Sequence, residues 1–229
     1  LELGGVDALI VLEDADLDLA SSAAVWGGFM NGGQVCASVE RVLVARSVRD
    51  AFVARLLDKA ASLDSSTDLG PYTADKQRAV YERHLQDARQ RGLEVVGGDW
   101  VGDRTLAPTV VTGEGIDDAE VYRNESFGPL IAVRTFRDDQ DAVRQHNALW
   151  GGLTASVFSD DSARAREVAS GLDAGLVSIN DVAATLHAAA ELPWGGMGAS
   201  GFGRSHGVEG LLELTQTKVI DSPRSDRLG

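Results

Sequence analysis

The sequence predicts an α/β fold: three αβα layers with a mainly parallel sheet covered by helices on both faces. Three observations carry this. Short apolar runs alternate along the chain with stretches of helical period, the pattern of a strand–helix–strand chain. The runs are apolar at successive rather than alternate positions, as in strands buried on both faces. The chain has 229 residues, 44% of them hydrophobic and 24% charged, which suits one large domain or a domain with a small appendage.

Ala8–Leu12 opens as a short apolar run, and the carboxylates of Asp14–Asp18 cap a helix expected over Leu17–Phe29. Arg41–Ala45 reads as a buried strand. Phe52, Leu56, Leu57 and Ala60 fall at helical spacing, so Val48–Leu63 is expected to be an amphipathic helix. Ala74–Arg91 is a more polar helix ending at Gly92, where a left-handed cap is easy. Glu94–Val96 follows as a strand and Gly97–Asp103 as a turn-rich loop. Beyond Pro108 come a strand at Leu130–Phe136, a helix at Asp139–Asn147, and a strand at Leu153–Phe158. A helix at Asp160–Ser170 and a strand at Gly175–Asn180 complete the alternation. The main body is expected over 1–192. Residues 193–229 should form a Gly-rich loop (Pro193–Gly207), a short helix (His206–Leu214), a last strand (Gln216–Ile220) that pairs with another subunit or with the missing half, and a disordered tail (Arg224–Gly229).

Charge excludes some functions. Lys and Arg number 21 against 35 Asp and Glu, a net charge of −14 that repels nucleic acid and anionic membrane surfaces. No apolar run reaches the roughly 20 residues of a membrane span, and no signal segment opens the chain. One cysteine cannot make an internal disulfide, which suits a reducing, cytoplasmic setting. The chain begins at Leu1, inside what reads as a motif, and is therefore expected to be truncated or processed there.

A lone cysteine is ordinarily a small buried hydrophobe. Cys36, however, ends Gly32-Gly33-Gln34-Val35-Cys36, just past a predicted helix. Glycines there let backbone N–H groups turn inward, where they could stabilise an oxyanion formed by thiolate attack on a carbonyl. No histidine stands out as its base: His84, His146, His187 and His206 lack metal-ligand spacing and read as solvated surface residues. Glu2, between two leucines and before Gly4-Gly5, suggests a carboxylate in an apolar pocket with a raised pKa, the condition for a general base. Gly196-Met197-Gly198-Ala199-Ser200-Gly201 has the three glycines of a dinucleotide fingerprint. Pro193 before it and no helix directly after it argue against that role.

Four motifs occur in order: Leu1–Gly5, Gly33–Cys36, Asn124-Glu125-Ser126-Phe127-Gly128-Pro129, and Pro193–Gly203. In this combination the chain resembles the aldehyde dehydrogenase superfamily from Leu1 to Ile220, and Gly175–Asn180 looks like that family's strand ending in asparagine. The resemblance implies NAD(P)-dependent oxidation of an aldehyde to a carboxylic acid. Cys36 would add to the aldehyde carbon, and its backbone N–H would form half of the oxyanion hole. Glu2 would activate water to cleave the thioester. Glu125 would bind the hydroxyls of the nicotinamide ribose of NAD or NADP, and Phe127 would pack near the nicotinamide.

The sequence departs from the family at Asn124 (usually acidic), Trp194 (often Phe), Gly198 (often Lys) and Val6-Asp7-Ala8 (usually Lys and Pro nearby). A full family member is about twice this length. The expectation is therefore a catalytic half without its cofactor domain, able to bind NAD(P) only weakly alone, from a protein that is a homo-oligomer when complete. Three other readings stand beside this one: a CoA-acylating dehydrogenase, a non-catalytic structural or interaction module, and an esterase or thioesterase using Cys36 and Glu2 without nicotinamide.

Overall fold

A computed structural model describes residues 1–182 and 191–222. Its centre is a sheet of seven strands: β1 (Ala8–Val11), β2 (Arg41–Ala45), β3 (Glu94–Val96), β6 (Thr109–Thr112), β7 (Leu130–Phe136), β9 (Thr154–Phe158) and β10 (Leu176–Ile179). The order across the sheet is β10-β9-β1-β2-β7-β6-β3, and every pairing is parallel except that of β3 with β6. β1 sits between two neighbours and is buried at all four positions, which is why it reads as an unbroken apolar run rather than an alternating one.

Helices cover both faces because alternate residues of each strand point to opposite sides. Leu9, Val11, Val42, Val44, Ile131 and Val133 pack beneath α1 (Leu17–Phe29) and α2 (Arg49–Ala61). Ala8, Ile10, Leu43, Leu130 and Ala132 face the layer of α3 (Asp75–Gln90), α5 (Asp139–Asn147) and α6 (Ser162–Ser170). α1 starts where expected: the Asp16 carboxylate accepts the N–H groups of Asp18 (2.9 Å) and Leu19 (3.1 Å), satisfying two donors with no intrahelical partner.

The predicted elements of the main body stand within two residues of their expected bounds. The Gly97–Asp103 loop carries part of a small hairpin, β4 (Trp100–Val101) with β5 (Thr105–Leu106). Strand β6 and the one-turn helix α4 (Glu120–Arg123) were not expected, being only four residues each, too short for a period to show.

Gln216–Ile220, expected to pair with another subunit or with the missing half, has no ladder partner among the described residues of this chain, and Val219 and Ile220 are more than 80% exposed. One expectation fails. His84 and His146 are buried, not surface residues; desolvation of the imidazolium holds their pKa values down at about 4 and about 3. His206 is exposed as expected. His187 and the Arg224–Gly229 tail lie outside the described residues. No helix among the described residues is long and apolar enough to cross a membrane.

Candidate active site

The residues singled out in the sequence gather at the amino ends of the parallel strands. Leu1–Gly5 leads into β1, Gly33–Glu40 into β2, Glu125–Pro129 into β7, and the two-residue strand β8 (Gly151–Gly152) into β9. In open α/β sheets ligands ordinarily bind beyond the carboxyl ends. Here the site is built on the opposite edge, from the segments that enter the strands.

Cys36 lies in a turn after a 3-10 segment, Met30–Gly33. Asn31, Gly32 and Gly33 all have positive φ (54°, 64° and 71°), which reverses the chain as it leaves α1. Glycine is required at 33: a Cβ there would lie 2.0 Å from the carbonyl carbon and oxygen of Gly128. The thiol is exposed to solvent. The protein packed on its other side raises its pKa first, and the carboxyls of Asp7 and Glu125 add to this. The backbone N–H groups of Cys36 and Ala37 act the other way.

The Glu125–Pro129 segment rests directly on the other motifs. A Cβ on Gly4 would lie 2.0 Å from the Glu125 carboxylate, and the nearby Gly5 N–H favours the ionised form of that carboxylate. Glu125 is half-buried, and desolvation raises its pKa. Phe127 is half-buried too and takes an unusual left-handed φ of 58°.

Leu1–Gly5 also pairs with the Gly-rich loop. Leu3 N–H donates to Ser200 O at 3.0 Å, Leu1 and Phe202 exchange two hydrogen bonds, and Glu2 bridges to Gly201. Glu2 is exposed rather than enclosed by apolar groups, and its carboxylate accepts a hydrogen bond from Ser205 Oγ. It borders an open cavity of about 810 Å³ that Phe202, Ser205, His206 and Leu214 help to line. The loop is anchored by Trp194, buried against Ala37, Leu153 and Leu176. Met197–Gly198 (β11) pairs antiparallel with β8, and the next helix, α7 (Gly207–Glu213), begins well after Gly201. The three glycines are therefore not a phosphate-binding turn.

Beneath this edge lie charged groups that sequence reasoning passed over. Asp7 is buried and accepts a 2.6 Å hydrogen bond from Thr154 Oγ1; burial lifts its pKa to about 7. Glu40 is buried as well, with its pKa pushed up to about 8. Arg41 is wholly buried and donates to the carbonyls of Val6 (2.9 Å), Gln145 (3.1 Å) and His146 (3.2 Å). The available signal was a charged residue abutting an apolar run: Asp7 before Ala8–Val11, Glu40 and Arg41 at the head of β2. Ser205, by contrast, carries no signal in the chain, since its partner Glu2 is remote in sequence.

A sequence profile of the aldehyde dehydrogenase family matches residues 1–220. The chain is 39% identical over 229 residues to the succinate-semialdehyde dehydrogenase (NADP+) of Deinococcus radiodurans, covering 96% of this chain and 47% of that protein. It is 40% identical over 219 residues to the 4,4'-diapolycopene aldehyde oxidase of a Methylomonas species, covering 94% of this chain and 41% of that protein. Among solved structures, an NAD-dependent aldehyde dehydrogenase from Sinorhizobium meliloti matches with a TM-score of 0.88 at 35% identity, over 94% of this chain and 44% of that one. Betaine aldehyde dehydrogenase from Staphylococcus aureus, in complex with NAD+, matches at 0.85 and 36%, over 93% and 44%. The chain spans about half the length of the curated relatives it matches.

Proposed function

The chain belongs to the aldehyde dehydrogenase family, and from that premise we propose that it supplies the thiol chemistry of an NAD(P)-dependent oxidation of an aldehyde to a carboxylic acid. The observation that carries the reading is the placement of Cys36. Cys36 is exposed, the backbone N–H groups of Cys36 and Ala37 favour its ionised form, and Glu125 is close enough to act on its charge.

Cys36, as thiolate, adds to the carbonyl carbon of the aldehyde and makes a tetrahedral alkoxide. The Cys36 N–H donates to that oxygen as its charge develops, one half of an oxyanion hole. A nicotinamide ring, when bound, supplies the acceptor for the hydride that leaves this carbon. The acyl group then remains on Cys36 as a thioester. Glu2 takes a proton from water, and the hydroxide attacks the thioester carbon and expels the Cys36 thiolate, leaving the carboxylic acid. Ser205 holds the Glu2 carboxylate at rest, so Glu2 exchanges that hydrogen bond for water during this step.

The residues present fit the nicotinamide end of the cofactor. The half-buried Glu125 carboxylate retains acceptor capacity for ribose hydroxyls, and Phe127 offers a half-buried ring two residues on. The described residues show no strand, glycine turn and helix in succession around Gly196–Gly201 that would cradle a pyrophosphate. Cofactor affinity for this chain alone is therefore expected to be very weak.

Ester hydrolysis tests Cys36 and Glu2 without nicotinamide. With p-nitrophenyl acetate, the expected result is steady release of nitrophenol, abolished by Cys36→Ser. Glu2→Gln should instead give a burst of about one equivalent, with the acetyl group found on Cys36 by mass spectrometry. Turnover that survives Cys36→Ser would overturn the assignment of the nucleophile, and release that depends on added coenzyme A would replace water as the acyl acceptor.

A further inference from the structure

Ser126 is held at three polar atoms by side chains from two other parts of the fold. Its N–H donates to Glu40 Oε2 at 3.0 Å, and the next N–H, of Phe127, donates to Glu40 Oε1 at 2.9 Å. Its carbonyl oxygen accepts a hydrogen bond from Gln77 Nε2. Its Oγ lies 3.0 Å from His84 Nδ1. Ser126, Glu40 and His84 are all buried, so water does not compete for these bonds.

The elements explain how the grip arises. Gln77 and His84 are seven residues apart on α3, two turns, so both point to the same side. Glu40 comes from the other direction, four residues after Cys36, at the head of β2. One carboxylate thus ties the cysteine turn to the segment that carries Glu125 and Phe127. Both of its oxygens accept backbone N–H groups, which offsets the strain of holding a phenylalanine at positive φ. His84 is neutral near pH 7. The Arg83 guanidinium nitrogen, 3.5 Å from its Nε2, can only donate, so Nε2 accepts there and the Nδ1 proton is left to be donated to Ser126 Oγ.

We propose that Glu40, Gln77 and His84 are positioning residues: by clamping Ser126 they set where the neighbouring Glu125 carboxylate and Phe127 ring stand relative to Cys36. This rests on the dehydrogenase reading only in naming the nicotinamide ribose and ring as what those two groups face. A buried serine with its N–H, C=O and Oγ all engaged by side chains cannot slide without breaking several bonds at once. Glu125 and Phe127 flank it directly in the chain.

The test uses neutral substitutions, Ser126→Ala and Gln77→Ala, which leave the charge near the thiol unchanged. Two signals are read: the pH profile of Cys36 alkylation by iodoacetamide, and the ¹⁹F spectrum of chain carrying 4-fluorophenylalanine at its six phenylalanines, with the Phe127 line identified by Phe127→Leu. Release of the clamp lets Glu125 swing away and removes its upward push on the thiol. Alkylation near pH 7 should therefore become about two- to fivefold faster. The Phe127 line should shift or broaden while the line of buried Phe52 stays in place. Glu40→Ala should give the largest change in the Phe127 line, and Glu40→Gln, which restores one acceptor, a smaller one.

An unchanged profile and Phe127 line in all of these variants overturns the clamp. So does a change of every fluorine line together, which would mean that the residues only support the fold at large. Neither signal needs aldehyde or nicotinamide, whereas the ester assay reports on Cys36 and Glu2 alone, so failure of the clamp and failure of the dehydrogenase reading are distinguishable.

Discussion

Cys36 combines an accessible sulfur with surroundings that disfavour its ionised form. Burial on one side acts first, and the negative potential of Asp7 and Glu125 acts in the same direction. Two N–H donors only partly oppose them. The expected consequence is sluggish alkylation at neutral pH, with an apparent pKa above that of an ordinary thiol, read by mass spectrometry across about pH 6 to 10. Glu125→Gln removes one negative group, so it should move that profile toward lower pH. A profile at or below the ordinary thiol value in the unaltered chain would contradict the placement of these carboxyls. Cys36 itself was legible in the sequence from its glycine-rich bend. The effect of Asp7 and Glu125 on it was not, since Glu125 was singled out only for the ribose and both carboxyls are far from Cys36 in sequence and close only in the fold.

At the scale of elements, the site depends on turns that tolerate no side chain. Gly33 and Gly128 approach each other so closely that a methyl group on either has no room: at 33 it meets the Gly128 carbonyl, and at 128 it would lie 0.7 Å from the Tyr81 hydroxyl oxygen of α3. Gly33→Ala adds a positive φ to this clash, and should destabilise the chain by roughly 2–4 kcal/mol in urea melts. A loss under about 0.5 kcal/mol would mean that the turn yields easily and that the contact is not structural. A different kind of boundary sets α1. Asp16→Ala removes two capping bonds and should cost about 1 kcal/mol, without altering Cys36 alkylation, because the cap lies at the opposite end of the helix from the cysteine turn. The helices and central strands were legible from period and caps because those signals are local. β6, α4 and the hairpin β4–β5 were not, because each is too short to display a period and is held by tertiary contacts.

The whole molecule should carry a distinctive dependence of stability on pH. Asp7 and Glu40 have folded pKa values raised to about 7 and about 8, so the folded chain keeps protons that the unfolded chain releases. Their contribution is complete below about pH 4 and is lost as pH rises through 7 and 8. His84 and His146, lowered to about 4 and about 3, contribute fully above about pH 6.5 and lose this as pH falls. Between about pH 4.5 and 6.5 the two trends oppose each other; above that only the carboxyls change. Urea melts should therefore show stability falling from about pH 6.5, by up to ~1.4 kcal/mol per pH unit for each carboxyl, with Asp7 levelling off above about pH 7 and Glu40 above about pH 8. Glu40→Gln should flatten this limb, and a flat profile in the unaltered chain would show that Asp7 and Glu40 titrate normally. The surface also bears on the molecule as a whole. Phe202, Leu211, Leu214, Val219 and Ile220 are each at least 67% exposed, an apolar stretch that the described residues of this chain leave uncovered.

By itself the sequence determined the layered α/β architecture, the bounds of most helices and central strands, the cysteine on its glycine bend and the four motifs that mark the family. Each is written in residues near one another in the chain, through periodicity, caps and turn glycines, which act over a few residues. Only the tertiary structure decided that those motifs meet at the amino edge of the sheet, that Glu2 turns to Ser205, that two histidines are buried, and that Glu40 and α3 grip Ser126. These depend on partners brought together across most of the chain, and burial of a polar side chain is settled by which partner reaches it, a property that no local pattern of residue types contains.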